Sequence, residues 1–320
     1  MPLLNDNYKP PLLFRNSYVA TIYAGVLRTV DKVIQHRERI TLLDGDFLDL
    51  DWSYPEHRTG KLVILLHGLE GSAQRTYMLS SAAAFNAENF AVCAVKFRGC
   101  SGDTNTKFRS YHAGATEDLD AVVTHILKLG TYTNIFLKGF SLGGNLLLKY
   151  LGVHRALPKQ IKGAVAISVP CQLGDSLNQL LLPKNKIYAA RFKKRLVSKL
   201  LLKQAQFPER ITIEKIRSIN TLKDFDNCYT SQAHDFIDAE DYYNQCSSRQ
   251  FLQHINIPTL IINAKNDSFL GELCYPVEEA ERNKQLFLEI PEYGGHVGFY
   301  ENGNQTYTER RAVYFLNELC

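Results

Sequence analysis

The chain lacks any apolar run long enough to cross a bilayer. Near the N-terminus the longest uncharged stretch, Asn16 to Leu27, is bracketed by Arg15 and Arg28 and falls short of the roughly 20 residues that a spanning helix needs. No secretory signal is visible there. The seven cysteines are odd in number and include no C-x-x-C pair, which points to free thiols in a reducing compartment rather than a disulfide framework. The expected location is therefore cytoplasmic, with contact at the inner face of the membrane kept open. Nine histidines show no H-x-H, H-E-x-x-H or paired Cys/His spacing, so no metal is expected. The turn after the first buried strand has no G-x-G-x-x-G, which removes the signature of a dinucleotide cofactor. With 37 basic and 33 acidic residues the net charge is only +4, and no nucleic-acid partner is expected. Internal repeats and low-complexity tracts are also absent.

What is present is an ordinary globular composition, 45% hydrophobic and 22% charged over 320 residues, enough for a large core. Two alternating runs, 39–43 and 47–52, flank Asp44-Gly45-Asp46 and predict an antiparallel hairpin. Lys61 to Leu66 reads as a strand buried on both faces of a parallel sheet. Helices then alternate with strands: helix 74–88, strand 90–96, helix 115–129, strand 134–138, helix 142–155 and a strand over 161–169. From Cys171 to about Ile255 the pattern is helical without a βαβ unit. The alternation resumes with a strand at 258–264, a helix near 273–283, a strand at 285–290 and a last helix over 305–319. The expected class is α/β: a mostly parallel twisted sheet with an antiparallel N-terminal hairpin. The expected division is an N-terminal extension over 1–35, a core made of 36–170 and 256–320, and a helical lid inserted over 171–255.

The chemistry concentrates at Gly139-Phe140-Ser141-Leu142-Gly143, which lies between a strand and a helix. A serine between two glycines on a strand-to-helix turn is the G-x-S-x-G nucleophile elbow, with the hydroxyl lifted above the sheet. A serine hydroxyl needs a base, and the base needs an acid to orient it. Asp267 follows the strand ending at Ala264, and His296 follows the last strand in a glycine-rich loop, Gly294-Gly295-His296-Val297-Gly298. Ser141, Asp267 and His296 are the expected triad. An oxyanion needs two backbone donors; these are expected at Leu142, after the nucleophile, and Leu69, in the loop His67-Gly68-Leu69-Glu70-Gly71-Ser72. Plainer readings stand beside these. Ser141 could cap a helix, Asp267 could serve a turn with Asp238 and Glu272 as rival acids, and His296 could be a loop histidine. His67 is expected to orient its own loop. Arg98, Arg109 and His112 could hold an anion, but tying down a long loop is the favoured reading.

These residues resemble the α/β-hydrolase superfamily, and more narrowly its YheT-like branch of bacterial hydrolases and eukaryotic membrane-associated relatives. The resemblance covers nearly the whole chain. Its specific blocks are 44–47, 67–72, 97–102, 111–112, 117–119, 139–145, Asp224-Phe225-Asp226, Asp241-Tyr242-Tyr243 and 294–299. It implies the α/β-hydrolase fold and a serine hydrolase cleaving carboxylic esters, with no cofactor and with a small-molecule ester or acyl lipid as partner. Some eukaryotic relatives act on phospholipids and carry an N-terminal membrane anchor, which is not read in this chain. Asn266-Asp267-Ser268 stands where the branch usually has a more acidic Asp-Asp-Pro.

The resemblance also implies that the insertion folds over the site. Residues 184–203 carry eight Lys or Arg, with no Asp or Glu between Asp175 and Glu209. Apolar Ile187, Phe192, Leu196, Leu200 and Leu201 are interleaved, which predicts a basic amphipathic helix. Its basic face would meet either an anionic lipid surface or solvent. Two other activities stay open at this point: acyl transfer or thioester cleavage by the same triad, and a non-catalytic binding module on the same fold.

Overall fold

Eight strands form one sheet in the order β1-β2-β4-β3-β5-β6-β7-β8. The structure is a computed structural model that describes residues 4, 7–30, 33–154, 156–303, 305–318 and 320. Strands β1 (His36–Thr41) and β2 (Phe47–Ser53) pair antiparallel across the Asp-Gly turn, and β2 pairs antiparallel with β4 (Ala91–Lys96). All remaining pairings are parallel: β3 (Lys61–Leu66), β5 (Asn134–Phe140), β6 (Ile161–Ile167), β7 (Thr259–Ile262) and β8 (Leu286–Glu289). The hairpin and the parallel order agree with the sequence.

Strand β3 shows why its sequence is apolar throughout. Leu62, Ile64 and Leu66 enter one core and Val63 and Leu65 the other, because successive side chains point to opposite faces. Helices α3 (Thr116–Leu129) and α4 (Leu142–Val153) cover the first face. Helices α2 (Thr76–Ala87) and α12 (Tyr307–Glu318) cover the second. Helix α1 (Ser17–Ile22), capped by the Asn16 side chain, precedes the sheet and runs into a π-turn over Tyr23–Leu27. Parallel strands place all their C-terminal ends on one edge, which is where sites form in such sheets.

Between β6 and β7 run α5 (Leu173–Leu181), α6 (Lys186–Gln206), α7 (Ile213–Arg217), α8 (Leu222–Phe225), α9 (Ser231–Ala233) and α10 (Ala239–Cys246). After β7 comes α11 (Val277–Arg282). The sequence pattern of α6 holds only in part. Phe192 and Leu196 pack toward the core and Leu200 is buried, but Ile187 is 84% exposed. Two of its lysines turn inward. Lys203 is only 5% exposed and Lys199 pairs with Glu70 at 2.9 Å. The reason is that acceptors wait on the neighbouring loops: the Glu70 carboxylate, and the carbonyls of Asn105 and Lys107 that receive the Lys203 ammonium.

Candidate active site

Ser141 sits between β5 and α4 with φ 51° and ψ −121°. A positive φ is costly for a serine, and close packing around the turn holds it there. The Ser141 N–H donates to Ile167 O at 2.8 Å. A Cβ on Gly143 would lie 2.5 Å from His67 O and 2.6 Å from Leu66 O, so α4 can start against the end of β3 only with glycine at that position.

The three residues expected as a triad converge. His296 Nε2 lies 2.9 Å from Ser141 Oγ, and His296 Nδ1 lies 2.8 Å from Asp267 Oδ2. The second Asp267 oxygen accepts the Phe269 N–H at 3.0 Å, which fixes the carboxylate plane. Acceptance by Asp267 places the imidazole proton on Nδ1 and leaves Nε2 free to accept from the serine. Asp267 is 3% and His296 7% exposed, and the Phe269 ring packs on the imidazole with centroids 4.3 Å apart. The rival acids lie elsewhere in the chain: Asp238 caps α10, and Glu272 opens a 3-10 turn.

Leu69 and Leu142 line the same cavity as Ser141 and His296. Among the described residues neither amide donates a hydrogen bond to the protein. The loop carrying Leu69 is set by His67, whose Nε2 accepts the Phe97 N–H at 3.2 Å and whose Nδ1 donates to Gly68 O at 2.8 Å. Burial pushes the pKa of His67 down to about 3, so the ring stays neutral and holds both bonds.

Arg98 and Arg109 are occupied with carboxylates. Arg98 pairs with Asp118, Asp44 and Asp46 at 2.7 to 3.1 Å, and Arg109 pairs with Glu117. They tie down the loop after β4. His112 is buried beside His234 with centroids 4.4 Å apart; it accepts the Gly114 N–H, and burial lowers its pKa to about 3.

The cavity over Ser141 holds about 130 Å³ and is mostly apolar, with Leu173, Leu177, Phe192, Leu222 and Phe269 on its walls. One carboxyl, Asp226, also faces it. Its oxygens accept from Thr230 Oγ1 and Tyr243 Oη, each at 2.7 Å. Burial raises the Asp226 pKa to about 6, and the two hydrogen bonds only partly oppose that shift. The two blocks 224–226 and 241–243 are thus one contact joining α8 and the turn after it to α10.

Sequence reasoning missed the N-terminal brace. Thr21 Oγ1 accepts the His296 N–H at 2.9 Å, and Asn266 Nδ2 donates to Arg15 O at 3.0 Å. Asn266 Oδ1 accepts the Gly295 N–H at 2.9 Å. A Cβ on Gly298 would stand 2.8 Å from Ala20 O. The glycines around His296 signalled that something approaches closely, but not that α1 does.

Comparison with known proteins agrees with this architecture. The α/β hydrolase fold family matches residues 61–303. The Escherichia coli (strain K12) protein named "Putative esterase YheT" is 32% identical over 293 residues, spanning 89% of this chain and 85% of that protein. A bovine protein (Bos taurus) named phospholipase ABHD3 is 27% identical over 330 residues, spanning 99% of this chain and 80% of its own length. Among solved structures, the Pyrococcus furiosus esterase Pf2001 superposes with a TM-score of 0.60 at 19% identity, covering 90% of this chain and 94% of that one. The chain therefore belongs to the α/β-hydrolase fold family, in its esterase- and lipase-like YheT branch.

Proposed function

We propose that the protein is a serine esterase that cleaves carboxylic esters of apolar acyl groups through Ser141, His296 and Asp267. The observation that carries this reading is the unbroken chain Ser141 Oγ, His296 Nε2, His296 Nδ1, Asp267 Oδ2, with links of 2.9 and 2.8 Å. Ser141 Oγ attacks the ester carbonyl carbon while its proton passes to His296 Nε2. The carbonyl π pair moves onto oxygen, and the N–H groups of Leu69 and Leu142 receive that charge. The intermediate collapses, the C–O bond to the alcohol breaks, and His296 returns its proton to the leaving oxygen. A water molecule, deprotonated by His296, then attacks the acyl-enzyme and releases the acid and Ser141. Asp267 holds the tautomer and stabilises the imidazolium throughout.

The apolar cavity supports an acyl chain as the buried part of the substrate. In this reading the insertion over 171–255 acts as the lid, and the cations exposed along 184–203 bring the site to an anionic membrane face. The esterase and phospholipase names of the relatives agree with ester chemistry in general. A fluorophosphonate probe tests the reading directly. It should label Ser141 in the folded protein, and Ser141→Ala should lose both label and p-nitrophenyl ester turnover at an unchanged melting temperature. Turnover retained by that variant would refute the assignment. Free acid as the sole product, with added alcohols ignored, would separate hydrolysis from acyl transfer.

A further inference from the structure

A second cavity, larger than the one over Ser141, lies beside it. It holds about 670 Å³ between the loop after β4, the Leu69–Glu70 loop and helix α6. It adjoins the catalytic cavity, sharing Tyr111, Leu196 and Phe225 with it. It also shares Arg75, Arg191 and Arg195 with a third opening, of about 140 Å³, that reaches Ser141 and His296.

The charge of this cavity is one-sided. Three of its cations are already satisfied: Arg98 by Asp118, Asp44 and Asp46, Lys199 by Glu70, and Lys203 by two carbonyls. The two acids on its wall, Glu70 and Asp103, pair with Lys199 and Arg39. Arg75, Arg191 and Arg195 have no carboxylate partner among the described residues. Arg75 Nη2 and Arg195 Nη1 instead converge on a single carbonyl, Glu70 O, at 3.1 and 3.4 Å. Two guanidinium groups held at one neutral oxygen repel each other. Burial lowers the pKa of Arg195, and Arg75 and Arg191 lower it further, while the Glu70 carboxylate opposes the shift only in part. An anion bound between them would relieve that repulsion.

We propose that Arg75, Arg195 and Arg191 form a subsite for a phosphate monoester carried by the alcohol side of the substrate. Several facts select this chemistry. Planar guanidinium forks match phosphate oxygens in pairs. Three cations suit a group carrying between one and two negative charges near neutral pH. Glu70 directly follows Leu69, so the subsite stands one residue from an oxyanion donor, beside the apolar cavity that would take the acyl chain. The substrate class is then an acyl ester of a short phosphorylated alcohol. This rests on the esterase reading above.

The test uses ligands that cannot be hydrolysed, so that it does not depend on turnover. Calorimetry of the intact protein with 1-O-octylglycerol 3-phosphate, with 1-O-octylglycerol and with inorganic phosphate separates the sources of the anion. The phosphorylated ether should bind about 30-fold or more tightly than the neutral one, the scale expected of charge-assisted hydrogen bonds. Arg75→Gln/Arg195→Gln should erase that preference, whereas Arg58→Gln, on an exposed loop, should leave it intact. Should the double variant fail to fold, Arg191→Gln alone, on the exposed face of α6, should lower the preference several-fold. Equal binding of the two ethers, or a preference that survives these variants, would overturn the subsite. Inorganic phosphate binding as tightly as the phosphorylated ether would overturn its assignment to substrate. In turnover, the kcat/KM ratio of octanoylglycerol 3-phosphate to octanoylglycerol should fall toward one in the double variant. Binding preference without turnover of either ester would instead refute the esterase reading and leave the subsite standing.

Discussion

Two cavities meet at Tyr111, Leu196 and Phe225, and they are built by opposite means. The three side chains at the reacting end of the apolar cavity stand on loops that follow parallel strands. Ser141, Asp267 and His296 have each other as partners, and the Phe269 N–H and the Thr21 hydroxyl oxygen hold Asp267 and His296 in place. The cationic cavity takes much of its charge from α6, a helix whose neighbours supply too few acceptors for its cations. A network whose side chains are all partnered is rigid and suits chemistry, where a misplacement of one ångström costs rate. An unsaturated cluster is poised to bind, because a ligand completes it. Changes in rate are therefore expected from the first cavity and changes in selectivity from the second.

Substitutions in either cavity test that contrast. The largest effect belongs to the strand ends. Asp267→Asn should lower kcat by about 10⁴-fold, the scale seen when the orienting carboxylate of such a triad is lost. It should slow phosphorylated and neutral esters alike. A change in their ratio would mean that the two cavities are not separable in this way. Next comes the brace. Thr21→Val keeps the shape of the side chain but removes the acceptor of the His296 N–H, leaving a donor unpaired at a cost of about 1–3 kcal/mol. We expect kcat to fall about tenfold with KM little changed. An unaffected kcat would show that the strand-end loop holds His296 without α1.

The smallest effect concerns pH and the one acid in the apolar cavity. Asp226 has its pKa raised from 3.8 to about 6 in the folded protein. The folded state therefore binds the extra proton between those values, and its stabilising contribution is full below pH 3.8 and lost as pH rises through 6. The buried His112 acts in the opposite sense: its pKa, lowered to about 3, makes the fold lose stability as pH falls below 6.5. Comparing wild type with Asp226→Asn isolates the carboxyl. The melting temperature of the variant should gain a few degrees on wild type between pH 4 and 7.5, on the order of 1.5 °C per kcal/mol at this chain length. A difference that does not vary with pH would mean that Asp226 is ionised at no cost.

Much of the fold was legible because its signals are local. The apolar run Lys61–Leu66 had to be a central strand, since only a sheet covered on both faces hides such side chains in both directions. The Asp-Gly turn announced the hairpin, and glycines on either side of Ser141 announced a turn that α4 enters under β3. Helix α6 was read less well. Its stripe of leucines predicted a solvated or lipid-facing basic side, but Lys199 and Lys203 turn inward because Glu70 and two loop carbonyls stand opposite them. Those acceptors lie about a hundred or more positions away in the chain, and no spacing rule reaches that far.

Local patterns along the chain were enough to point to the fold family and to the reaction class proposed for it. A strained serine, a strand-end aspartate and a histidine in a glycine loop are each specified by neighbours a few residues away, and a parallel sheet must bring its strand ends together. Only the packed fold shows what steadies the histidine, where the spare cations gather and how large the apolar cavity over Ser141 is. Thr21 and His296 are separated by 275 positions, and Arg195 and Glu70 by 125. Contacts of that kind depend on how packed layers close on one another, which backbone propensities do not encode.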